Sequence, residues 1–144
     1  MIRPVIIFYD PILRSVAAPS DGQTAELCAD LIDTMLHHNG LGLAAPQIGI
    51  SKRVFVARDP NKPAAIYTFV NPKLYPQRRK KEVEVVEGCL SIPGVFVRVP
   101  RYTEIMIVER TVRIKASGMF AAVLQHEMDH LDSKLIIDYG PPIR

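Results

Sequence analysis

The sequence has few cysteines and no long apolar run, and each shortage excludes a class of protein. Its two cysteines, Cys28 and Cys89, lie far apart in a chain of 144 residues. They are too few for a disulfide framework and are typical of a reducing compartment. No apolar stretch approaches the roughly 20 residues that a membrane-spanning helix needs, and the first residues lack the pattern of a signal peptide. We therefore expect a cytoplasmic protein without a membrane partner.

The chain also has little excess of either charge sign. The chain has 18 Lys and Arg against 15 Asp and Glu, a net charge of +3, and so small an excess does not indicate nucleic-acid binding by itself. The one basic cluster, residues 78–81 (RRKK), is expected to form a solvated turn between strands. Contact of this cluster with RNA or another polyanion is the alternative. We expect no sequence-specific nucleic-acid partner.

The composition predicts a single folded domain over residues 1–144. Hydrophobic residues make up 48% of the chain, enough for a core, and 12 prolines argue against an all-helical bundle. Apolar residues at three- and four-residue steps predict a helix over residues 24–38, with Asp21 or Thr24 as its cap. The expected fold class is α+β, with mostly antiparallel short strands around a central helix and a second, N-terminal helix.

Shorter patterns predict the remaining elements. Alternating or β-branched runs predict strands, with a turn-rich segment at residues 59–63 and a tight hairpin near residues 109–110. Residues 40–47 (GLGLAAPQ) are rich in small residues and, taken alone, are interpreted as a tight packing loop. The strands are expected at residues 53–57, 66–70, 82–85, 95–97, 99–101, 103–109, 111–116 and 134–139. The first helix is expected to bury Leu27, Cys28, Leu31, Ile32, Met35 and Leu36.

Residues 124–131 (LQHEMDHL) carry the clearest functional pattern. A helix turns about 100° per residue, so His126 and His130 lie one turn apart on one face, where two imidazoles can bind one divalent metal ion. Glu127 lies beside them and can take a proton from a water molecule at such an ion. Ser117 is the expected cap of this helix. The alternative is an ordinary amphipathic helix in which two histidines are four residues apart by chance.

A catalytic site of this kind needs a third protein ligand and one open position. After His130 the side-chain carboxylates are Asp132 and Asp138. Asp132 is too close in sequence to fold back easily, and Asp138 lies in the expected last strand. Cys89 is the better candidate, because it sits at a strand end where a thiolate can face the helix. A lone cysteine is more often a buried structural thiol, but the histidine pair favours the ligand interpretation.

Three separated segments together resemble the peptide deformylase family: residues 40–47 (GLGLAAPQ), 87–91 (EGCLS) and 125–131 (QHEMDHL). They occur in the family's order, and the similarity extends from residue 10 to about residue 139. The family removes the formyl group from the N-terminal methionine of newly made polypeptides. The resemblance implies three metal ligands, one acid–base residue and two oxyanion donors. These are Cys89, His126 and His130, then Glu127, and finally the side chain of Gln47 and the backbone N–H of Leu90.

The resemblance also implies how the substrate binds. The peptide is expected to pair with the chain as an added strand, and the methionine side chain is expected to enter an apolar pocket. Glu87 and Arg101 are expected to form a salt bridge that braces the strand of Cys89. Peptide binding is assigned to Leu41, Gly42, Leu43 and Gly88, and the methionine pocket to Val85, Met119, Ala122 and Val123. For each of these pocket residues taken singly, ordinary core packing is the alternative.

The same resemblance implies one divalent metal ion per chain, Fe(II) in cells, with Zn(II), Ni(II) or Co(II) in isolated protein. The partners are formyl-methionine nascent peptides, and the protein is expected to be a monomer. Bacterial members commonly continue into a basic C-terminal helix implicated in ribosome docking, whereas this sequence stops at Arg144 and resembles shorter members, some from bacteriophages. Ribosome docking by that route is therefore uncertain, and we expect activity without that helix.

Two other functions fit parts of the pattern. A metallopeptidase shares the His-Glu-x-x-His motif, and it would cleave unformylated peptides and use a third ligand other than Cys89. A catalytically inactive, metal-stabilised binding module is the second alternative. It is disfavoured because structural metal sites usually fill all four positions with protein ligands.

Overall fold

The computed structural model describes residues 1–77, 79 and 81–144. These residues form two α-helices and eight β-strands, together with three short 3₁₀ turns at Pro11–Arg14, Ala45–Ile48 and Ile136–Asp138. The helices are α1 (Ala25–His37) and α2 (Gly118–Leu131). The strands are β1 (Gly42–Ala44), β2 (Val54–Asp59), β3 (Lys62–Val70), β4 (Lys73–Pro76), β5 (Glu82–Cys89), β6 (Ile92–Tyr102), β7 (Glu104–Glu109) and β8 (Val112–Ser117).

The strands form three small antiparallel sheets. Their orders are β1-β2-β3, β4-β7-β8 and β5-β6, and every strand pair within them is antiparallel. Helix α2 packs against strands of all three sheets, and α1 packs against β1 and β2. The expected α+β fold around a central helix is therefore confirmed. Within the described residues, no helix is long and apolar enough to cross a membrane.

Helix α2 is central because its apolar side chains meet the sheets on more than one side. Leu124 and Leu131 are fully buried, in one cluster with Phe55 and Ile107. Burying a side chain of this size contributes about 1.5–3 kcal/mol each. The expected cap is only partly right, since Ser117 precedes the helix but its side chain makes no capping hydrogen bond. The first helical N–H, of Gly118, donates instead to the carbonyl of Thr103 at 3.0 Å.

Helix α1 covers the outer face of β1 and β2. The predicted helix over residues 24–38 is confirmed to within a residue, and most of its expected apolar stripe faces Leu43, Val54 and Val56. Leu36 is a correction, because it lies at the edge of the stripe and is 41% exposed. Thr24 precedes the helix without a side-chain capping bond, so the cap expected from residue type is not made.

Two connections differ from their predictions. Residues 40–47, interpreted as a loop, contain strand β1 and a 3₁₀ turn, because β2 offers an edge that sequence alone cannot reveal. The turn expected over residues 59–63 is shorter, and β3 already begins at Lys62. The hairpin near residues 109–110 is confirmed, and Arg110 adopts the positive φ of 54° that its tight turn requires.

The prediction of a strand at residues 134–139 is wrong. The segment forms the 3₁₀ turn Ile136–Asp138, in which the carboxylate of Asp138 accepts a hydrogen bond from the N–H of Leu135 at 2.9 Å. Leu135 and Ile136 are nevertheless buried. The apolar side chains of this segment therefore pack into the core although its backbone does not form a strand. The basic cluster of residues 78–81 includes Arg78 and Lys80, which lie outside the described residues.

Strand β5 departs from simple alternation. Val83, Val85 and Glu87 share one face, but Val83 is 46% exposed while Glu87 is buried. This face therefore becomes progressively more covered toward Cys89, and its exposed half forms one wall of a cleft against α2. The half-buried strand expected at residues 82–85 is thus mostly open to that cleft.

Candidate active site

Three side chains with metal-binding atoms converge below the cleft. Cys89 is the last residue of β5, and His126 and His130 lie one turn apart on α2. The Cys89 Sγ lies 3.4 Å from the His130 Nε2, which lies 3.2 Å from the His126 Nε2. One donor atom from each residue lies within 4.8 Å of the other two. The structure thus brings together the three residues that the sequence singled out.

This donor set fits a divalent transition metal. A thiolate and two imidazoles suit Zn(II), Fe(II), Co(II) and Ni(II), and three protein ligands leave a position open for chemistry. Burial and the neighbouring His126 hold the pKa of His130 well below its usual range, which favours the neutral imidazole that binds metal. The other candidate ligands point elsewhere: Asp132 accepts from Arg53 at 3.0 Å and Asp138 from Arg14 at 2.6 Å.

A buried charge network orients His126. Its Nδ1 lies 2.9 Å from the Oε1 of Glu87, which leaves the Nε2 facing the other donors. Arg101 donates to both oxygens of Glu87, at 2.7 and 2.8 Å, so the expected ion pair is confirmed. Burial alone would raise the pKa of Glu87, but Arg101 and His126 lower it below its usual value. Glu87 is therefore held as a carboxylate beside the imidazole.

The network continues to two residues that sequence reasoning missed. The Nη1 of Arg101 donates to Asp129 at 2.7 Å, and the phenol of Tyr139 donates to the same carboxylate oxygen at 2.7 Å. Asp129 lies between the two histidine motif positions, and Tyr139 directly follows the last 3₁₀ turn. Only the position of Asp129, inside the helix motif, was a signal in the sequence.

Gln47 lies on the opposite side of Cys89. Its Oε1 accepts from the N–H of Ala44 at 3.0 Å, so its Nε2 faces the site. That Nε2 donates to the hydroxyl of Ser91 at 3.1 Å and lies 3.6 Å from the Cys89 Sγ. Ser91 is fully buried and was also missed, although it lies in the segment EGCLS. Gln47 is thus held by its oxygen, with its side-chain amide N–H groups shared between Ser91 and the Cys89 Sγ.

Glu127 is the buried acid of the site. It is 4% exposed, and within the described residues its Oε1 has no hydrogen-bond partner. Burial raises the pKa of Glu127 to about 7. A carboxyl group with that pKa can both accept and return a proton near neutral pH. A Cβ added at Gly42 would lie 2.5 Å from the Glu127 Oε2, so only glycine fits against this carboxylate.

A cavity of about 700 Å³ opens from the donor cluster to the surface. Apolar side chains from β5 and α2 form its walls, and Glu127 and His126 lie at its base. His38, which the sequence did not assign, also lines it. The side chain of Leu43 does not, because it is fully buried against α1. The residues expected to bind substrate that line the cavity are Leu41, Gly42, Gly88, Val85, Met119, Ala122 and Val123, and Leu90 lines it as well.

The register of β1 determines which of its backbone groups face the cavity. The N–H of Arg58 donates to the carbonyl of Leu41 at 2.9 Å, and the next pair along the strands is Gly42 with Ala57. Because hydrogen-bonded and non-hydrogen-bonded pairs alternate in an antiparallel ladder, the N–H and C=O of Gly42 point away from β2. They lie on the edge of β1 that borders the cavity.

Comparisons with known proteins agree with this geometry. Residues 2–144 match the family model of polypeptide deformylase. A peptide deformylase of Dictyoglomus thermophilum is 40% identical over 146 residues, which cover 96% of this chain and 92% of the relative.

Solved structures give the same result. The peptide deformylase of Thermotoga maritima is 35% identical, with a TM-score of 0.87 and 99% of each chain covered. A class I type b peptide deformylase of Acinetobacter baumannii, with Met-Ala-Ser bound, is 31% identical with a TM-score of 0.83, covering 97% of this chain and 99% of that one. This chain therefore belongs to the polypeptide deformylase family and is a metal-dependent hydrolase that removes the N-formyl group from the N-terminal methionine of newly made polypeptides.

Proposed function

We propose that residues 1–144 form one catalytic domain in which Cys89, His126 and His130 hold a single divalent metal ion and Glu127 is the acid–base residue. The convergence of one sulfur and two ring nitrogens within 4.8 Å, directly beside a buried carboxyl group, is the observation that carries this assignment. It also disfavours a metallopeptidase with another third ligand, because Asp132 and Asp138 are engaged by arginines.

A divalent metal ion held by Cys89, His126 and His130 would supply Lewis acidity, which would polarise the formyl group and lower the pKa of water. Glu127 takes the proton from the attacking water, and the oxygen adds to the formyl carbon. The bond from that carbon to the methionine nitrogen then breaks, and Glu127 returns its proton to the leaving amine. The products are formate and a free N-terminus. Burial raises the pKa of Glu127 above that of a free carboxyl group, which favours its holding the proton between the two steps.

Gln47 and Leu90 stabilise the charge that develops on the formyl oxygen. The amide N–H groups of Gln47 are already oriented, because its Oε1 is bound by Ala44. The backbone N–H of Leu90 follows Cys89 directly and would be the second donor. Donors fixed before the reaction need no reorganisation as the charge forms, and loss of one donor typically slows such reactions about 100-fold or more.

The peptide is proposed to bind as a strand along the free edge of β1. The backbone of Gly42 borders the cavity on that edge, and Gly88 borders it from β5. Leu41 contributes its partly exposed side chain to the rim. Leu43 has a buried side chain, and its backbone groups face Val56 of β2, so its role would be to hold Gly42 in position. Val85, Met119, Ala122 and Val123 would enclose the methionine side chain, since all four line the cavity.

The metal is proposed to be Fe(II) in cells, and Zn(II), Ni(II) or Co(II) can occupy the same ligands in isolated protein. A thiolate-containing site with an open position is exposed to oxidation when the metal is iron. Metal analysis of protein purified with and without oxygen tests this proposal. Iron at about one ion per chain, with activity that is lost in air, supports it, and activity with zinc that equals the activity of anaerobic protein contradicts it.

The partners of the chain are nascent peptides that carry formyl-methionine. We further propose that the protein is a cytoplasmic monomer. Sedimentation equilibrium tests the oligomeric state, and a dimer would contradict the proposal.

Formate release from formyl-Met-Ala-Ser by the anaerobic, metal-loaded protein is the central test. Glu127→Gln should slow it about 100- to 10,000-fold while metal content stays near one ion per chain. Cys89→Ala should lose the metal as well as the activity. A metallopeptidase would retain metal in Cys89→Ala and cleave unformylated peptide, and a binding module would show equal, negligible rates in the parent chain and in Glu127→Gln.

A further inference from the structure

The sheet β4-β7-β8 has an outer face that the proposed active site does not use. Its inner face is identified by Leu74, Ile107 and Ala116, one from each strand, which lie in or against the core cluster that contains Leu124 of α2. Because successive side chains of a strand point to opposite faces, the alternate residues point away from α2. These outer residues are Lys73 and Tyr75 of β4, Glu104, Met106 and Val108 of β7, and Arg113, Lys115 and Ser117 of β8.

The strand register arranges the outer residues in rows that cross the sheet. Two neighbouring rows are Lys73–Val108–Arg113 and Tyr75–Met106–Lys115. They define a patch about 10 Å wide across the three strands and about 7 Å long along them. Basic side chains therefore occupy three corners of this patch, Tyr75 occupies the fourth, and two apolar side chains lie between them.

The patch is exposed and positively charged. Lys73, Arg113 and Lys115 are exposed, and among the described residues none of them forms an ion pair. The ring of Tyr75 is 53% exposed. The one carboxylate among the outer residues, Glu104, is half-buried and lies in the next row, so it does not separate the three cations. The patch therefore matches a partner that carries several negative charges.

We propose that this patch binds single-stranded RNA without sequence preference. The three cations contact phosphate groups, and one base stacks on the ring of Tyr75 while Met106 and Val108 provide apolar contact beside it. This arrangement favours a nucleic acid over an acidic protein, because a flat base can stack on the ring and a carboxylate side chain cannot. Exposed Arg79 and Lys81 follow β4 in the chain and add positive charge beyond its end. Since the patch points away from α2, bound RNA leaves the cleft open to peptide.

The test is fluorescence anisotropy of an end-labelled oligouridine of about 12 nucleotides, titrated with the metal-loaded protein. The Kd should lie between about 1 and 100 µM, and with three phosphates neutralised it should rise about 20-fold between about 50 and 200 mM salt. Replacing Lys73, Arg113 and Lys115 together with Gln should weaken binding at least tenfold at the lower salt concentration and remove most of the salt dependence. Absence of binding by the parent protein at about 50 mM salt would overturn the proposal.

A second triple variant controls for net charge. Lys62, Arg98 and Lys134 are also exposed and lie on other elements. Replacing these three with Gln removes the same charge and should change Kd less than threefold. If both triple variants lose affinity equally, binding depends on the charge of the whole protein and the proposal is wrong.

Tyr75 distinguishes RNA from other polyanions. Tyr75→Ala should weaken binding about 5- to 100-fold without changing the salt dependence, and Tyr75→Phe should retain the parent affinity. Formate release should be unchanged in both variants and in the triple variant of the patch, which shows that they are folded. Unchanged RNA affinity in Tyr75→Ala would overturn the proposal. Tighter binding of the parent protein to phosphatidylglycerol vesicles than to the oligonucleotide, reduced by the triple substitution in the patch, would assign the patch to lipid and would also overturn it.

Discussion

At the scale of single residues, Gly42 couples the peptide-binding strand to the catalytic acid. Replacing it with Ala places a Cβ 2.5 Å from the Glu127 Oε2, a distance that forces the carboxylate or β1 to move. A displacement of about 1 Å in a catalytic group can cost about 100-fold in rate. We therefore expect Gly42→Ala to lower kcat/KM for a formyl-methionine peptide about 10- to 100-fold, measured by formate release, with metal content unchanged.

Gly140→Ala is the matched control for this substitution. A Cβ at Gly140 meets no atom within 4 Å, and the residue has no positive φ. This variant should retain the parent activity. Equal activity of Gly42→Ala and Gly140→Ala would contradict the close contact between β1 and Glu127.

Residue types and spacing were sufficient to predict the donor cluster but not the neighbouring residues that hold it in position. His126 and His130 follow from helix periodicity, and Cys89 followed from eliminating the carboxylates and from the resemblance to the family. Ser91 and Asp129 were missed because a serine or aspartate acquires its role from burial and from the partner that folding brings near. Local spacing carries no information about either.

At the scale of elements, Arg101 joins β6 to β5 and α2 through buried ion pairs. Its side chain is 4% exposed and that of Glu87 is 9% exposed. Removing one partner of such a pair leaves an uncompensated buried charge, which typically costs about 3–5 kcal/mol. We expect Arg101→Met to lower the free energy of unfolding by that amount, measured by urea denaturation of the metal-loaded protein, and to weaken metal binding through Glu87 and His126.

The Arg14–Asp138 pair provides the comparison. It has a similar distance, 2.6 Å, but both side chains are more than one-third exposed. Exposed pairs contribute about 0–1 kcal/mol. Arg14→Met should therefore change the free energy of unfolding by less than about 1 kcal/mol, and a loss as large as that of Arg101→Met would show that burial is not the cause.

The segment between α1 and β1 is held by Arg58 of β2. The Arg58 Nε donates to the carbonyl of Gly40 at 2.9 Å, and its backbone N–H donates to the carbonyl of Leu41 at 2.9 Å. Since Leu41 and Gly42 border the cavity, this contact positions the peptide-binding edge. We expect Arg58→Met to raise KM about fivefold with kcat changed less than twofold, as measured by steady-state formate release.

Arg58→Lys should restore most of the parent KM, because an ammonium group can also donate to the Gly40 carbonyl. Arg113→Met, at an exposed position of β8, should leave both constants unchanged. If Arg58→Met lowers kcat and leaves KM unaltered, the residue does not act through peptide binding.

Element types were largely predictable, and element partners were not. Both helices and most strands follow from periodicity. The segment at residues 134–139 has strand-like composition, but no neighbouring strand is positioned to pair with it, and Asp138 closes a turn instead. Strand β1 was missed for the opposite reason, since its small residues form a strand only because β2 lies beside them.

At the scale of the whole molecule, the N-terminal segment ties α1 to the active site. The N–H of Ile6 donates to the carbonyl of Gln47 at 2.7 Å, and that of Phe8 donates to the carbonyl of Ser91 at 2.9 Å. Further toward the start, Arg3 donates to Asp30 of α1 at 2.9 Å. This segment therefore connects α1 to Gln47 and Ser91, which lie beside the Cys89 side chain. Its attachment to α1 should contribute to stability.

Asp30 makes that attachment dependent on pH. Hydrogen bonds from the Met1 amino group and from Arg3 hold the pKa of Asp30 below its usual value of 3.8. A carboxyl group whose pKa is lower in the folded state stabilises the protein above the unfolded value, and the contribution disappears as the pH falls through the folded value. Asp30→Asn should therefore have a lower Tm than the parent at pH 7, and the difference should persist to about pH 4 and shrink below pH 3.8. Thermal denaturation of both proteins across this pH range measures the difference in Tm, and Asp33→Asn is the comparison at a more exposed carboxylate. A difference in Tm that does not change with pH would contradict an ionic attachment.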